Sequence, residues 1–154
     1  MNKLSSEEKA YIAGFLDGDG SINAQIVKRE DYVLKFQIRV SITFFQKTNK
    51  HWFLIKLYKK LSYGTLRKRP DGMSEYAIVG INSVENVLNL LLPYIELKKP
   101  QAKLLLEIIQ NMPKVKNDPQ AFLKLCEKVD KFINLNDSKK REINYETVRS
   151  TLGL

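Results

Sequence analysis

The sequence predicts an α+β fold in which helix, hairpin, helix, hairpin and helix follow one another (α-β-β-α-β-β-α) and a helical tail closes the chain. Three observations carry that prediction. The spacing of apolar residues switches twice from a helical period to strict alternation. Turn residues such as Pro70-Asp71-Gly72 sit between alternating runs. Late in the chain, Lys99-Pro100 and Asp118-Pro119 open segments of helical pattern, proline being suited to the first helical position. At 154 residues the chain is long enough for one compact domain with a real core. No Gly/Ser-rich linker or low-complexity run divides it, so 1–154 reads as one domain, with a core over about 5–111 and a helical tail over about 112–154.

The first helix opens on Ser5-Ser6-Glu7-Glu8, a capping box in which Ser5 caps and Glu8 reaches back. It runs to about Asp17 and is stopped by Gly18 and Gly20. Gly14 and Gly18 lie one turn apart on one face and permit close approach by another helix. An interior glycine costs about 1 kcal/mol relative to alanine, which tight packing would justify; a merely tolerated glycine is the alternative. Alternation follows over Ser21–Ile26 and again over Leu34–Phe44. There Leu34, Phe36, Ile38, Val40, Ile42 and Phe44 face one way and Lys35, Gln37, Arg39, Ser41 and Thr43 the other. The polar loop Lys28–Val33 makes these strands a long antiparallel hairpin.

A second helix is expected over Lys47–Leu61, with Trp52, Ile55 and Tyr58 toward the core, and Gly64 ends that unit. The second hairpin pairs Thr65–Arg69 with Ser74–Val79, its inward face being Leu66, Tyr76 and Ile78 and its outward face Arg67, Arg69, Glu75 and Ala77. Asn82-Ser83-Val84-Glu85 starts a third helix that Pro93 terminates. Helices then run over Lys99–Asn111 and from Asp118 to about Leu135, and Asp137-Ser138 or Asn144 caps a last short one.

The charge is unusual: 26 Lys+Arg against 17 Asp+Glu leave +9, which points to a polyanionic partner, nucleic acid ahead of a membrane surface, against the alternative of a soluble basic protein. Cys126 is the sole cysteine, so there is no disulfide framework and no thiolate metal site; Phe122, Leu125 and Val129 around it make it a small core residue. The longest apolar candidate, Val87–Ile95, is broken by Asn89 and Pro93, so no membrane span is expected. The N-terminal region carries Glu7 and Glu8 and has no signal- or transit-peptide character, so the protein is expected to work in the compartment where it is made. Neither a membrane nor a small-molecule substrate is among the expected partners.

A sheet packed against helices on one side has its other face free. Here that face would hold Asn23, Gln25, Arg29, Gln37, Arg39, Ser41, Thr43, Arg67 and Arg69, with Val27, Asp31, Tyr32, Lys47, Glu75 and Ala77 on the same surface. Asn and Gln can offer donor and acceptor together to adenine, and Arg can fork onto guanine. Strand rise and base-pair rise nearly match, so an eleven-residue strand in the major groove tracks roughly ten base pairs. A merely solvated face would more often carry Glu/Lys pairs and isolated threonines. Lys98, Lys99, Lys103, Lys114, Lys116, Lys139, Lys140 and Arg141, on the helical portion, suit phosphate contacts, though each alone also fits a solvated surface charge. Ser138 belongs with this group.

Asp17 and Asp19 need explaining in so basic a chain. Carboxylates at a helix C-terminus meet the negative end of the macrodipole, and a cation would relieve them. Mg²⁺ takes one or two carboxylates together with water and phosphate oxygens, a site its substrate completes. Asp-Gly-Asp-Gly also reads as turn chemistry. A calcium loop is rejected, because Ile22 stands at the required glycine and Lys28 at the closing glutamate.

Ile12-Ala13-Gly14-Phe15-Leu16-Asp17-Gly18-Asp19-Gly20 resembles the nine-residue LAGLIDADG motif, and the element order is similar to that family's core. Gln46-Lys47-Thr48, Trp52-Phe53-Leu54, Lys98-Lys99-Pro100-Gln101-Ala102 and Leu135-Asn136-Asp137-Ser138-Lys139 extend the resemblance along nearly the whole chain, toward the single-motif homing endonucleases encoded in organellar introns. The resemblance implies a curved antiparallel sheet as a DNA-binding saddle and a homodimer whose motif helices meet at a two-fold axis, with Ala13, Gly14, Asp17 and Gly18 at the seam. It implies that Asp19 binds divalent metal with help from the Gly18 carbonyl, that Gln46 and Lys98 order water and polarise the phosphate, and that Lys50, where some relatives have arginine, organises solvent. Asp17 then reads as structural. Glu142 departs from a basic residue in close relatives, which weakens a phosphate contact there.

The activity implied is Mg²⁺-dependent hydrolysis of both strands of a long pseudo-palindromic duplex site across the minor groove, leaving short 3′ overhangs. Mn²⁺ would substitute, and Ca²⁺ would support binding without cleavage. The compartment implied is a chloroplast or mitochondrion, with synthesis inside it. An RNA-splicing maturase or a non-cleaving DNA-binding protein on the same fold are the alternatives. His51, the sole histidine, has no evident partner and reads as structural or surface.

Overall fold

A computed structural model of the chain describes residues 3–136 and 141–154. Helix α1 (Ser6–Asp19) leads into β1 (Gly20–Lys28) and β2 (Phe36–Lys47). Then come α2 (His51–Leu61), β3 (Thr65–Lys68), β4 (Met73–Val79) and α3 (Ile81–Leu91). The remainder is α4 (Lys99–Asn111), α5 (Pro119–Asp130), the single turn α6 (Phe132–Leu135) and α7 (Tyr145–Leu152). The four strands form one antiparallel sheet in the order β1-β2-β4-β3. Ile22, Ala24 and Ile26 of β1 and the even-numbered residues of β2 from Phe36 to Phe44 are buried under the helices with Tyr76 and Ile78 of β4. One apolar cluster runs from Leu4 to Val148. Among the described residues no helix is long and apolar enough to cross a membrane.

Local chemistry accounts for most boundaries. The Ser5 capping box forms in both directions, with Ser5 Oγ accepting from Glu8 N and Glu8 Oε1 accepting from Ser5 N, each at 3.1 Å. Helix α1 continues through Gly18 and Asp19 and turns extended at Gly20, later than the sequence pattern implied. The constraint at Gly20 is steric: a Cβ there would sit 2.5 Å from Leu16 Cδ1 and 2.9 Å from Leu16 O. Asp118 and Asn144 cap α5 and α7 as expected, accepting from Ala121 N and Thr147 N. Asp137 and Ser138, the other expected cap, lie outside the described residues.

Three expectations are corrected. Helix α2 buries Leu54, Leu57 and Leu61, whereas Trp52 is 63% and Tyr58 38% exposed. Apolar residues occupy almost every position from Trp52 to Tyr58, so periodicity admits two faces. The leucines fit beneath a sheet whose Phe44 and Tyr76 already stack at 5.7 Å. Lys35 lies before β2, not on it: its φ is 66°, and Nζ donates to Glu30 O at 3.1 Å to close the turn. The third helix starts at Ile81 after Gly80 (φ 104°), so Asn82 is inside it and does not cap it.

Candidate functional site

The site assembles at one end of the sheet because of strand register. Gly20 pairs with Phe44, so β2 runs on past the start of β1 and carries Gln46 to the end where α1 finishes. The chain then makes a single 3-10 turn, Thr48–Lys50, before α2. Gln46 is half-buried, its Oε1 accepting from Lys47 N at 3.1 Å, and Lys50 is exposed. Lys98 arrives from the far side of the sequence at the start of α4, and Asp17 draws it in.

The two acids of α1 are separated by their partners. Asp17 Oδ2 accepts from Glu96 N at 2.9 Å and Leu97 N at 3.2 Å, and Oδ1 from Lys98 N at 3.0 Å. Its carboxylate thus caps the start of α4, where backbone N–H groups have no helical partner. Lys98 Nζ returns to Asp17 O at 2.6 Å, a cation on the negative end of α1. Asp17 is therefore engaged inside its own chain, which supports its structural reading and takes its carboxylate away from a seam or a metal. Asp19 is exposed, and among the described residues no hydrogen bond or ion pair engages its carboxylate. Leu16 O accepts from Gly20 N, and the Gly18 carbonyl beyond it has no following helical turn to bond.

Among the described residues no group of three or more His, Cys, Asp or Glu side chains could hold a metal. Among the described residues one chain offers Asp19 and backbone oxygen at the tip of α1. That donor set is hard and incomplete, which fits Mg²⁺ held jointly with a second copy and with phosphate oxygens.

The solvent side of α1 is open. A Cβ at Gly14 or Gly18 would meet nothing within 4 Å, so neither glycine is needed for packing inside the chain. Tyr11, 62% exposed, lies on the same face, and its ring meets Phe53 edge-on at 6.2 Å. Ala13 is fully buried in its own core, which corrects its placement at the seam: one residue around the helix from Gly14, its methyl faces inward.

The sheet's other face is the one expected. Register sets Asn23 opposite Ser41, Gln25 opposite Arg39, Val27 opposite Gln37, Thr43 opposite Ala77 and Arg67 opposite Glu75. Lys47 ends the β2 row, and Arg69 lies just past β3, its N donating to Met73 O at 2.8 Å. Several arginines are already paired. Arg29 forks onto Asp31 with both bonds at 3.2 Å, donates to Gln37 Oε1 at 2.9 Å, and lies 4.6 Å over the Tyr32 ring. Arg67 meets Glu75 at 2.8 Å and Arg69 meets Asp71 at 2.5 Å. These exposed pairs add little stability, but they hold the guanidinium groups in defined directions. Lys116 is exposed beside the β1–β2 turn, where it lines a groove of about 640 Å³ with Asp31, Tyr32 and Val33. Phe45 and Val79 share the reading face; continuing the strand alternation past Phe44 would have found the first.

The tail departs from expectation at Arg141. Its guanidinium is half-buried on the edge of the sheet, donating to Ala24 O at 2.7 Å and Asn23 Oδ1 at 2.6 Å, and so is not a free phosphate contact. Burial lowers its pKa and Asp130 opposes that shift, yet an arginine stays charged throughout. Asn136 Nδ2 joins it, reaching Ile22 O at 3.2 Å and Asn23 Oδ1 at 3.1 Å. β1 is an edge strand, and these two residues occupy carbonyls that would otherwise invite another strand. Ser138 and Lys139 lie outside the described residues.

His51 also gains a partner that sequence reading missed: Nδ1 lies 2.9 Å from the Oγ of Ser74, which is fully buried and donates to Thr48 Oγ1 at 3.2 Å. The network ties β4 to the turn bearing Lys50. The alternation of β4 turns Ser74 inward beside Tyr76, but no local spacing pairs it with His51.

Comparison with known proteins agrees with this geometry. A family model described as LAGLIDADG endonuclease matches residues 12–108. DNA endonuclease I-CvuI of Chlorella vulgaris is 52% identical over 93% of this chain and 88% of its own length. DNA endonuclease I-CreI of Chlamydomonas reinhardtii is 42% identical over 97% of this chain and 91% of its own. A crystal structure of I-CvuI in complex with the I-CreI target, with Mg present and the DNA not cleaved, matches with a TM-score of 0.91 and 50% identity, covering 96% of this chain and 93% of that one.

Proposed function

The chain belongs to the LAGLIDADG endonuclease family, and we propose that it is a site-specific homing endonuclease: a homodimer that binds a long pseudo-palindromic duplex site and hydrolyses both strands with divalent metal. The observation that carries this reading is the state of α1. Its glycine face is open and its two acids are divided, Asp17 engaged by residues 96–98 and Asp19 left exposed at the tip. A second α1 laid against Gly14 and Gly18 would bring two Asp19 carboxylates together, supplying the ligands one chain lacks.

Asp19 and the Gly18 carbonyl would hold the metal. Bound there, a divalent ion would ease deprotonation of water, so that a stronger nucleophile meets phosphorus, and would supply charge to stabilise the leaving oxygen. Gln46 and Lys50, on the strand end and turn beside α1, order the attacking water. Lys98 places positive charge near the scissile phosphate, and the Asp17 carbonyl fixes where that charge sits. No side chain acts as a nucleophile. The sheet's outward rows, from Gln25 and Arg39 to Arg67 and Arg69, read one half-site per subunit, and the chain's +9 charge favours the polyanion overall. Synthesis and action inside a chloroplast or mitochondrion belong to the same reading, with the sources of the two relatives in its support.

The test is cleavage of plasmids carrying a partially randomised library built on the DNA that I-CvuI holds, in Mg²⁺ and in Ca²⁺. Double-strand cuts with short 3′ overhangs at a restricted set of sites are expected in Mg²⁺, and binding without cutting in Ca²⁺. Tight sequence-selective binding that never cuts in Mg²⁺ or Mn²⁺ would make the protein a binder instead.

A further inference from the structure

Asn23 sits on the reading face, half-buried, opposite Ser41. Read from sequence it is an adenine reader, since an amide offers a donor to N7 and an acceptor to the N6 amino group. Its surroundings remove half of that ability. Arg141 donates to one polar atom of its side chain at 2.6 Å, and a guanidinium has donors only, so that atom is oxygen. Asn136 donates to the same oxygen at 3.1 Å, and its own orientation is fixed by Ile22 O, which can only accept. Both lone pairs of the Asn23 oxygen are therefore taken. The Asn23 NH₂ group has no acceptor among the described residues.

Resting on the DNA-cleaving reading above, we infer that Arg141 is a specificity-determining residue that acts through Asn23, holding its amide oxygen so that Asn23 meets DNA as a donor only. Arg141 is itself anchored. Its second nitrogen donates to Ala24 O at 2.7 Å, and Asp130 lies near enough to supply counter-charge. Swinging out to a phosphate would strip two acceptors at once. A donor-only amide is satisfied by guanine N7 and O6 or thymine O4, gains one contact from adenine, and opposes the amino group of cytosine. The base pair facing Asn23 should therefore favour guanine or thymine over adenine and reject cytosine. Arg141, acting from the tail through Asn23, would set that choice.

The experiment is binding selection from a randomised duplex library in Ca²⁺, which reads base preference independently of cleavage. Wild type, Asn23→Ala, Arg141→Ala, Arg141→Lys and the Asn23→Ala/Arg141→Ala double variant are compared. The base pair at which Asn23→Ala changes preference marks the contact. There, Arg141→Ala is expected to raise adenine relative to guanine and thymine about tenfold, the scale of one completed bidentate pair. The double variant should show no such gain. Arg141→Lys keeps the charge with a single donor site, folds if the alanine variant does not, and should give an intermediate shift. Three results overturn the inference: no change with Asn23→Ala, no shift with either Arg141 variant, or the same shift with and without Asn23. Selective binding with the expected shift but no cleavage in Mg²⁺ would uphold the inference while refuting the endonuclease reading.

Discussion

Replacing Asp17 with alanine separates the two acids of the motif helix. The carboxylate accepts three backbone N–H bonds, of 2.9, 3.2 and 3.0 Å, from Glu96, Leu97 and Lys98. The first two are exposed, and water can replace them; the Lys98 bond is part-buried. The Lys98 bond, part-buried and made to a charged acceptor at the N-cap of α4, is worth about 1.5–3 kcal/mol. Asp17→Ala should therefore destabilise the chain by about 1.5–3 kcal/mol, lowering Tm by roughly 5–10 °C at this size. Asp17→Asn keeps one acceptor oxygen and should lose about half as much. Because residues 96–98 carry Lys98, cleavage should fall further than binding in both variants. Thermal and urea denaturation followed by circular dichroism give Tm and stability; filter binding and plasmid cutting give the rest. A Tm for Asp17→Ala within about 2 °C of wild type would refute the assignment of Asp17 as the anchor of α4.

Other outcomes follow from the same geometry. A Cβ at Gly14 would meet no atom within 4 Å in the chain, so the isolated fold should tolerate Gly14→Val, yet that side chain should block approach of a second α1. Sedimentation is expected to give twice 17.9 kDa for wild type and a single chain for the variant. Cys126 has its thiol pushed up to about 12, by burial first and by Asp130 second, so it should resist thiol reagents at pH 8 until the chain unfolds. The shift stabilises the fold fully below the unfolded thiol pKa of ~9, and that contribution is lost as pH rises from there toward 12. Stability measured across pH 8–11 should fall, and Cys126→Ala should flatten that slope.

Legibility in the sequence followed the range of each interaction. Caps, prolines and strand alternation act within a few residues, so Ser5, Asp118 and Asn144 and the outward rows from Gln25 to Arg67 could be read directly. The face of α2 could not, because its apolar residues support two stripes and the sheet beneath decides between them. Long-range polar partners were invisible for a simpler reason. Asp17 with Lys98, Asn23 with Arg141 and His51 with Ser74 are joined only by the fold, and no local spacing encodes such pairs. Arg141 shows the consequence: a lone basic residue in a tail reads as a phosphate contact until the acceptors around it are known. The glycines were legible as a close-approach face, but that this face is empty within one chain required coordinates.

The most direct test of the account is plasmid cutting by Asp19→Asn beside wild type, on the selected target in Mg²⁺, with binding measured in parallel. Asp19 has no partner among the described residues, so the variant should fold with wild-type stability or slightly more, since it removes a negative charge from a helix C-terminus. Target binding should be unchanged and both strand cuts lost. Cleavage that persists in Asp19→Asn would contradict it, because the metal would then be held by other residues.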